Sequence, residues 1–375
     1  MAKKILIIHL MSLGDCLMVT AVARQIKHDY PGCRLTWAIS QNCRQIIENN
    51  PFIDDIWEVQ HEKSESPFAD VWYKVKKEAE ERKQAGEFDE IISTQIFPDN
   101  IYNFDGTTRS STFRGYSGKI SVPVTPIISL FDYEVECVKY FAVKYQLEKY
   151  RHVILCECAP SSGQSFLTPE LILEIASKIA EANQDIIFII STHTKLETNN
   201  KQIIDASVLS FRENAELSKY CTLLVGCSSG ITWLLTSDWA KKIPTIQFLT
   251  NTLIPFQFAS VRYDFKYWGL PHDHIIESTV SNVSSMQTII QACIKDFTTA
   301  KKYEENLYPD LKILENFFKH FFKPGKIFKN FAVARNFVNR NKVPWWRYGY
   351  IAVLIAKKVF FTAMRKIKNF HLSTK

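Results

Sequence analysis

Residues 3–27 read KKILIIHLMSLGDCLMVTAVARQIK, and this stretch decides the fold. Ile5 to Leu10 is an apolar, β-branched-rich run, the pattern of a strand buried on both faces. Ser12-Leu13-Gly14-Asp15 turns the chain, and Leu17, Ala21, Val22 and Ile26 then recur at helical spacing. A strand, a tight turn and a helix begin an α/β unit. In open α/β sheets ligands bind outside the carboxyl ends of the strands, where Ser12 to Asp15 would lie. Asp15 therefore has two readings: a helix N-cap, or a carboxylate aimed into a cleft as a general base.

Outward from this unit the alternation continues. Arg34–Ile39 reads as a second strand after the Pro31-Gly32 turn, and Gln41–Asn50 as a short helix stopped by Pro51. Ile53–Val59 is a strand, Ala69–Ala85 a charged helix ending at Gly86, and Phe88–Thr94 a strand running to the sheet's edge. Pro98–Pro126, rich in Ser, Thr, Asn, Gly and Pro, reads as a long loop of the kind that carries binding function. Val135–Glu148 is a connecting helix. A second unit opens at His152–Cys156, again apolar and again followed by small polar residues, Pro160 to Ser165. Thr168-Pro169-Glu170 starts a helix with a hydroxyl cap, a proline and an acid against the dipole. Ile186–Ile190 is a strand, Asn214–Tyr220 a short helix, Thr222 to Gly230 a strand and turn, and Ile243–Phe248 a further strand. Two successive βα units predict twin Rossmann-like, doubly wound domains facing one another.

The 375 residues suffice for two domains, and 46% hydrophobic with 23% charged residues describe a globular chain. Nine cysteines without a C-x-x-C pair fit a reducing cytosol, and the opening apolar run is too short for a signal peptide. The net charge of +7 hides an asymmetry. Fourteen of the 46 Lys and Arg, and none of the 39 Asp and Glu, fall between Phe317 and Lys375. The other 316 residues thus carry 32 basic and 39 acidic side chains, an acidic body with a basic tail.

No GxGxxG follows a strand, and GxxxxGK[ST], HExxH and Asp-x-Asp are absent, which leaves no metal site to name. What remains are three small-residue turns after apolar strands: Ser12 to Asp15, Ser161 to Ser165, and Ser228 to Gly230. Backbone N–H groups at such turns suit phosphate oxygens, although Ser and Gly are also ordinary turn residues.

Together these features resemble glycosyltransferase family 9, to which the lipopolysaccharide heptosyltransferases belong. The likeness rests on the strand, the Ser-Leu-Gly-Asp turn, the helix, Tyr30-Pro31, Pro51 with Asp54-Asp55, the strand Phe88 to Gln95, and the block Leu217 to Phe248. It implies a GT-B fold with an acceptor domain (1–148) and a nucleotide-sugar donor domain (149–300), followed by the basic aromatic helical tail (301–375) that the composition marks. It implies an inverting transferase that needs no bound metal or cofactor, with Asp15 as general base and Ser12 and Gly14 in the acceptor-side turn. Donor contacts would fall on Ser161, Ser162, Gly163, Ser228, Ser229, Gly230 and Thr232, with Glu197 meeting a ribose hydroxyl. The acceptor would be a lipopolysaccharide, glycolipid or surface glycan. A non-catalytic nucleotide- or glycan-binding relative, or a protein glycosyltransferase, are the rival readings. The chain also departs from the family. Ser228 and Trp233 stand where heptosyltransferases carry Asp and His, and no Lys occurs between Ser161 and Phe166, which leaves the donor sugar open.

The tail mixes its cations with Phe, Trp, Tyr, Ile and Val, and Lys357-Lys358 interrupts its longest apolar run. That excludes a spanning helix and favours attachment to an anionic membrane surface, at the cytoplasmic face, over the alternatives of an RNA or an acidic-protein contact. A tail helix packing back across both domains, as in many GT-B proteins, is the alternative for part of it.

Overall fold

The computed structural model describes residues 2–61, 68–158, 163–250 and 258–358. The first half is built from β1 (Lys4–Ile8), α1 (Leu13–Asp29), β2 (Arg34–Ser40), β3 (Asp55–Val59), α2 (Phe68–Gln84) and β4 (Glu90–Ser93). All its strand pairs are parallel, in the order β3-β2-β1-β4, so the sequence direction of growth reverses at β1. The short α3 (Arg109–Phe113) and then α4 (Asp132–Lys144) lead into the second half.

That half contains β5 (His152–Glu157), α5 (Pro169–Glu181), β6 (Ile186–Ser191), β7 (Ile203–Asp205), α6 (Glu213–Leu217), β8 (Leu223–Gly226) and α7 (Gly230–Leu234). It continues through β9 (Thr245–Phe248), α8 (Val261–Trp268), β10 (Ile275–Ser278), α9 (Val283–Lys295) and α10 (Phe297–Ala300). Its strands are also parallel, ordered β10-β9-β8-β5-β6-β7, with the reversal between β5 and β8. Ligand crevices form at such reversals, so the ends of β1, β5 and β8 are the places to look.

The halves meet tightly. Every residue of α1 from Cys16 to Ala23 is buried, because the helix lies between its own sheet and α7 of the second half. One apolar cluster consequently runs through both halves. Arg212, at the start of α6, reaches the first half with a bidentate pair to Glu134 at 2.7 and 2.8 Å and bonds to the carbonyls of Gln45, Glu48 and Ser129. A planar guanidinium satisfied on all sides fixes an orientation as well as a distance.

The segment expected to be an open loop, Pro98–Pro126, is instead largely interior from Ile101 to Phe113. Ile101, Tyr102 and Phe104 pack on α11 (Leu311–Phe321) and α12 (Ile327–Asn341), together with Ile351 and Ile355 of a helical segment at 348–358. The tail therefore folds back on the body and covers what composition alone marks as surface. Its polar counterpart is a buried charge cluster. Arg340 of α12 donates to both oxygens of Asp105 at 2.9 Å and to Asp264 Oδ1 at 2.6 Å. Arg109 of α3 holds Asp264 Oδ2 at 2.8 Å, and Arg114 holds Asp105 Oδ2 at 2.7 Å. One network thus ties the first half, α8 and the tail together.

Candidate active site

A cleft of about 1110 Å³ opens between the halves, at the strand ends singled out above. Ser12 to Asp15 from the end of β1, Glu157 from β5 and Ser228 to Ile231 from β8 all line it. The two turns face one another across the cleft floor: a methyl built on Gly14 would lie 3.6 Å from Gly230 Cα. Gly230 has its own constraint, since a Cβ there would sit 2.8 Å from Phe211. Ser12 (φ 77°) and Ser228 (φ 58°) both hold left-handed backbone, a strained state that costs non-glycine residues about 1 kcal/mol or more and gathers at functional sites.

Asp15 is not the helix cap. Ser12 occupies that position, and Asp15 is the third residue of α1 with its carboxylate on the cleft. No hydrogen bond from the described residues reaches that carboxylate. Burial pushes its pKa up to about 6, and the Arg109 guanidinium pulls the other way without restoring the ordinary value. A carboxylate poised near neutrality, without a hydrogen bond from the described residues and facing a crevice, has the properties of a general base.

On the opposite wall the donor-side residues are differently occupied from the sequence expectation. Glu157 is buried at the end of β5 and fills the mouth of α7. It accepts from the backbone of Ile231 at 2.8 Å, Cys227 at 3.3 Å and Thr232 at 3.3 Å, and from the hydroxyls of Thr232 at 2.7 Å and Ser229. Ser228 is buried, donating to the Ala259 carbonyl at 2.8 Å and accepting from Arg109 at 2.7 Å. The hydroxyls of Ser228, Ser229 and Thr232 are therefore spent on protein partners, not offered to a phosphate. Glu277, at the end of β10, does the same for α8 by accepting from Ser260, Val261 and Arg262. In this half, internal carboxylates satisfy helix starts that could otherwise take anions. Glu157→Gln should therefore lower stability by about 2 kcal/mol, read as a fall in the urea midpoint at unchanged slope, since an amide cannot accept at all of these donors.

Of the other expected donor contacts, Glu197 is exposed in the segment after β6 and does not line the cleft. Ser161 and Ser162 lie outside the described residues, and Gly163 follows them with φ 68°. Trp233, in the place of the family's histidine, is buried edge-on against Phe265 at 4.8 Å and forms part of the cleft wall. The cleft also gathers residues that the sequence left unassigned: Arg109, Gln164, His193 and Asn214. Asn214 is buried and its Oδ1 has no hydrogen-bond partner among the described residues. A single cue was available for Arg109, a cation inside the Ser- and Thr-rich stretch. Among the described residues no group of three His, Cys, Asp or Glu is placed to hold a metal ion.

Two parallel, doubly wound sheets with a cleft between the carboxyl ends of their strands constitute the GT-B architecture of glycosyltransferases. Solved structures place it more closely. The glycosyl transferase family 9 protein of Veillonella parvula matches 85% of this chain and 98% of its own, at 14% identity and a TM-score of 0.53. The E. coli ADP-heptose LPS heptosyltransferase II matches 80% of this chain and 98% of its own, at 14% identity and a TM-score of 0.50. These likenesses establish the fold. No protein-family profile matches the chain, and no curated protein matches it in sequence.

Proposed function

We propose that the protein is an inverting glycosyltransferase that moves a sugar from a nucleotide-sugar donor to a glycan or glycolipid acceptor, with Asp15 as the base. The observation that carries this reading is the Asp15 carboxylate, which receives no hydrogen bond from the described residues and is pushed up to about 6, at the floor of an inter-sheet cleft. Asp15 takes the proton of the acceptor hydroxyl as its oxygen bonds to the anomeric carbon from the face opposite the leaving group. The bond from that carbon to the diphosphate breaks, and the electron pair leaves with the nucleotide. No divalent metal is needed in this scheme: protein N–H and polar groups meet the departing charge. With the N–H groups of Ile231 and Thr232 in α7 already held by Glu157, those groups are drawn from Gln164 and the Ser191–His193 wall. The fold of the two solved glycosyltransferases supports the assignment.

A second reading, a nucleotide- or glycan-binding module without turnover, is favoured by one observation, the occupation of the α7 mouth by Glu157. A thermal-shift screen of the purified protein against ADP-, GDP-, UDP-, CMP- and dTDP-sugars, with EDTA and then with Mg²⁺, tests donor binding. A ligand at a hundred times its Kd stabilises the native state by about 2.7 kcal/mol, so one nucleotide class should raise Tm, and equally in EDTA. If no nucleotide sugar moves Tm, the transferase reading fails at its first step.

A further inference from the structure

We infer that the outward surface of the tail is a contact site for an anionic lipid bilayer. The tail has already met its own packing needs. On α12, Asn330, Val333, Ala334 and Phe337 face the body and are buried, and in the segment after it Ile351 and Ile355 do the same. The opposite stripe of α12 is exposed and reads Phe328, Phe331 and Arg335, spaced by three and four residues on one helical side, with exposed Lys342 just past the end of the helix. Phe328 is 86% exposed and Phe331 52%. Beyond α12, Trp346 (66% exposed), Arg347, Tyr348, Tyr350, Val353 and Lys357 are exposed as well.

Aromatic and aliphatic side chains with lysine and arginine among them, and no acid after Glu315, match a headgroup layer: cations meet the lipid phosphates while rings enter the boundary. Charge also sets the orientation. The body carries more acidic than basic residues and is repelled by an anionic leaflet, so the tail faces the lipid. No described helix is long and apolar enough to cross a membrane, so the contact is one of surface attachment. Phe321, at the end of α11, lines the cleft beside Phe97, with ring centroids 6.4 Å apart. The lipid-facing tail thus continues into the cleft wall.

The test is flotation of the full-length protein with vesicles of phosphatidylcholine alone and of phosphatidylcholine mixed with phosphatidylglycerol. Binding is expected on the mixed vesicles alone and should weaken with salt. Each cation near a charged leaflet contributes about a fivefold factor, so Arg335→Glu with Lys357→Glu should weaken partitioning by about thirtyfold or more. Phe328→Ser with Phe331→Ser should weaken it by about tenfold or more, with circular dichroism and Tm unchanged because both rings are exposed. Absence of binding to the mixed vesicles would overturn the proposal. Equally damaging would be binding that survives the phenylalanine changes and is displaced by RNA, the behaviour of a polyanion site. Vesicle binding needs no sugar donor, so its outcome is independent of the transferase reading.

Discussion

Asp15→Asn is expected to reduce turnover by about 10² to 10⁴-fold while leaving nucleotide-sugar binding in place, because the amide keeps the shape of the acid and cannot take a proton. The readout is release of nucleoside diphosphate from whichever donor the thermal-shift screen selects. The wild-type profile should carry its own signature. A base that titrates at about 6 must be ionised to act, so kcat/KM should fall with acid below that value and level off above it. The same substitution should stabilise the fold. The Asp15 pKa is raised on folding, so the native state disfavours the ionised acid; the cost grows as pH rises from the ordinary value of 3.8 to about 6 and is constant above. Asn removes it, adding about 1–3 kcal/mol at pH 8 and nothing near pH 3. A gain in Tm at pH 8 coupled to lost turnover marks a residue kept for chemistry. Unchanged turnover would end the assignment.

Asp264→Ala is expected to be the most destabilising single change, about 3–5 kcal/mol, because it strips the carboxylate from two buried guanidiniums, Arg109 and Arg340. Urea unfolding at pH 7 measures it. The exposed pair Lys178–Glu174 on α5 provides the contrast, with Glu174→Ala costing less than about 0.5 kcal/mol. If Asp264→Ala costs no more than this control, the network does not clamp the halves. Burial alone would raise the Asp264 pKa, but Arg340 and Arg109 outweigh it and hold the group below the ordinary carboxylate range. Its contribution is therefore complete above the unfolded-state value and is lost as pH falls through the depressed folded one, so the clamp loosens on the acid side. Because Arg109 also faces Asp15 electrostatically, loss of the network should carry the pH–rate limb with it.

The contrast between β1–α1 and the turn Ser228–Thr232 separates what was legible from what was not. The run Ile5 to Leu10, the Gly14-Asp15 turn and the apolar helix after it are local signals, and they fixed a parallel α/β sheet with Asp15 at the carboxyl end of a strand. The second sheet was legible at β5 and β6 from their six-residue, largely apolar runs, and at β8 and β9 from shorter runs next to turn residues. β7, three residues long, gave too few to show a period, and β10, although as long as β8 and β9, ends in Glu277-Ser278 and does not read as a strand. The sequence also separated an acidic body from a basic tail, because charge needs no contact to be counted.

The partners of each polar group needed the tertiary structure. Glu157 and Thr232 are 75 positions apart, yet the carboxylate fills the helix mouth that composition alone offers to a phosphate. Arg109 joins the cleft from a stretch that reads as open loop, since its partners Ser228 and Asp264 lie more than a hundred residues away. The tail divides in the same way. Its cations and rings were plain from the sequence. Only packing against Ile101, Tyr102 and Phe104 decided that Phe317, Val333 and Phe337 turn inward while Phe328 and Phe331 remain outside. Local period sets an element and its apolar face; which distant group satisfies a donor, an acid or a ring is settled by the fold as a whole.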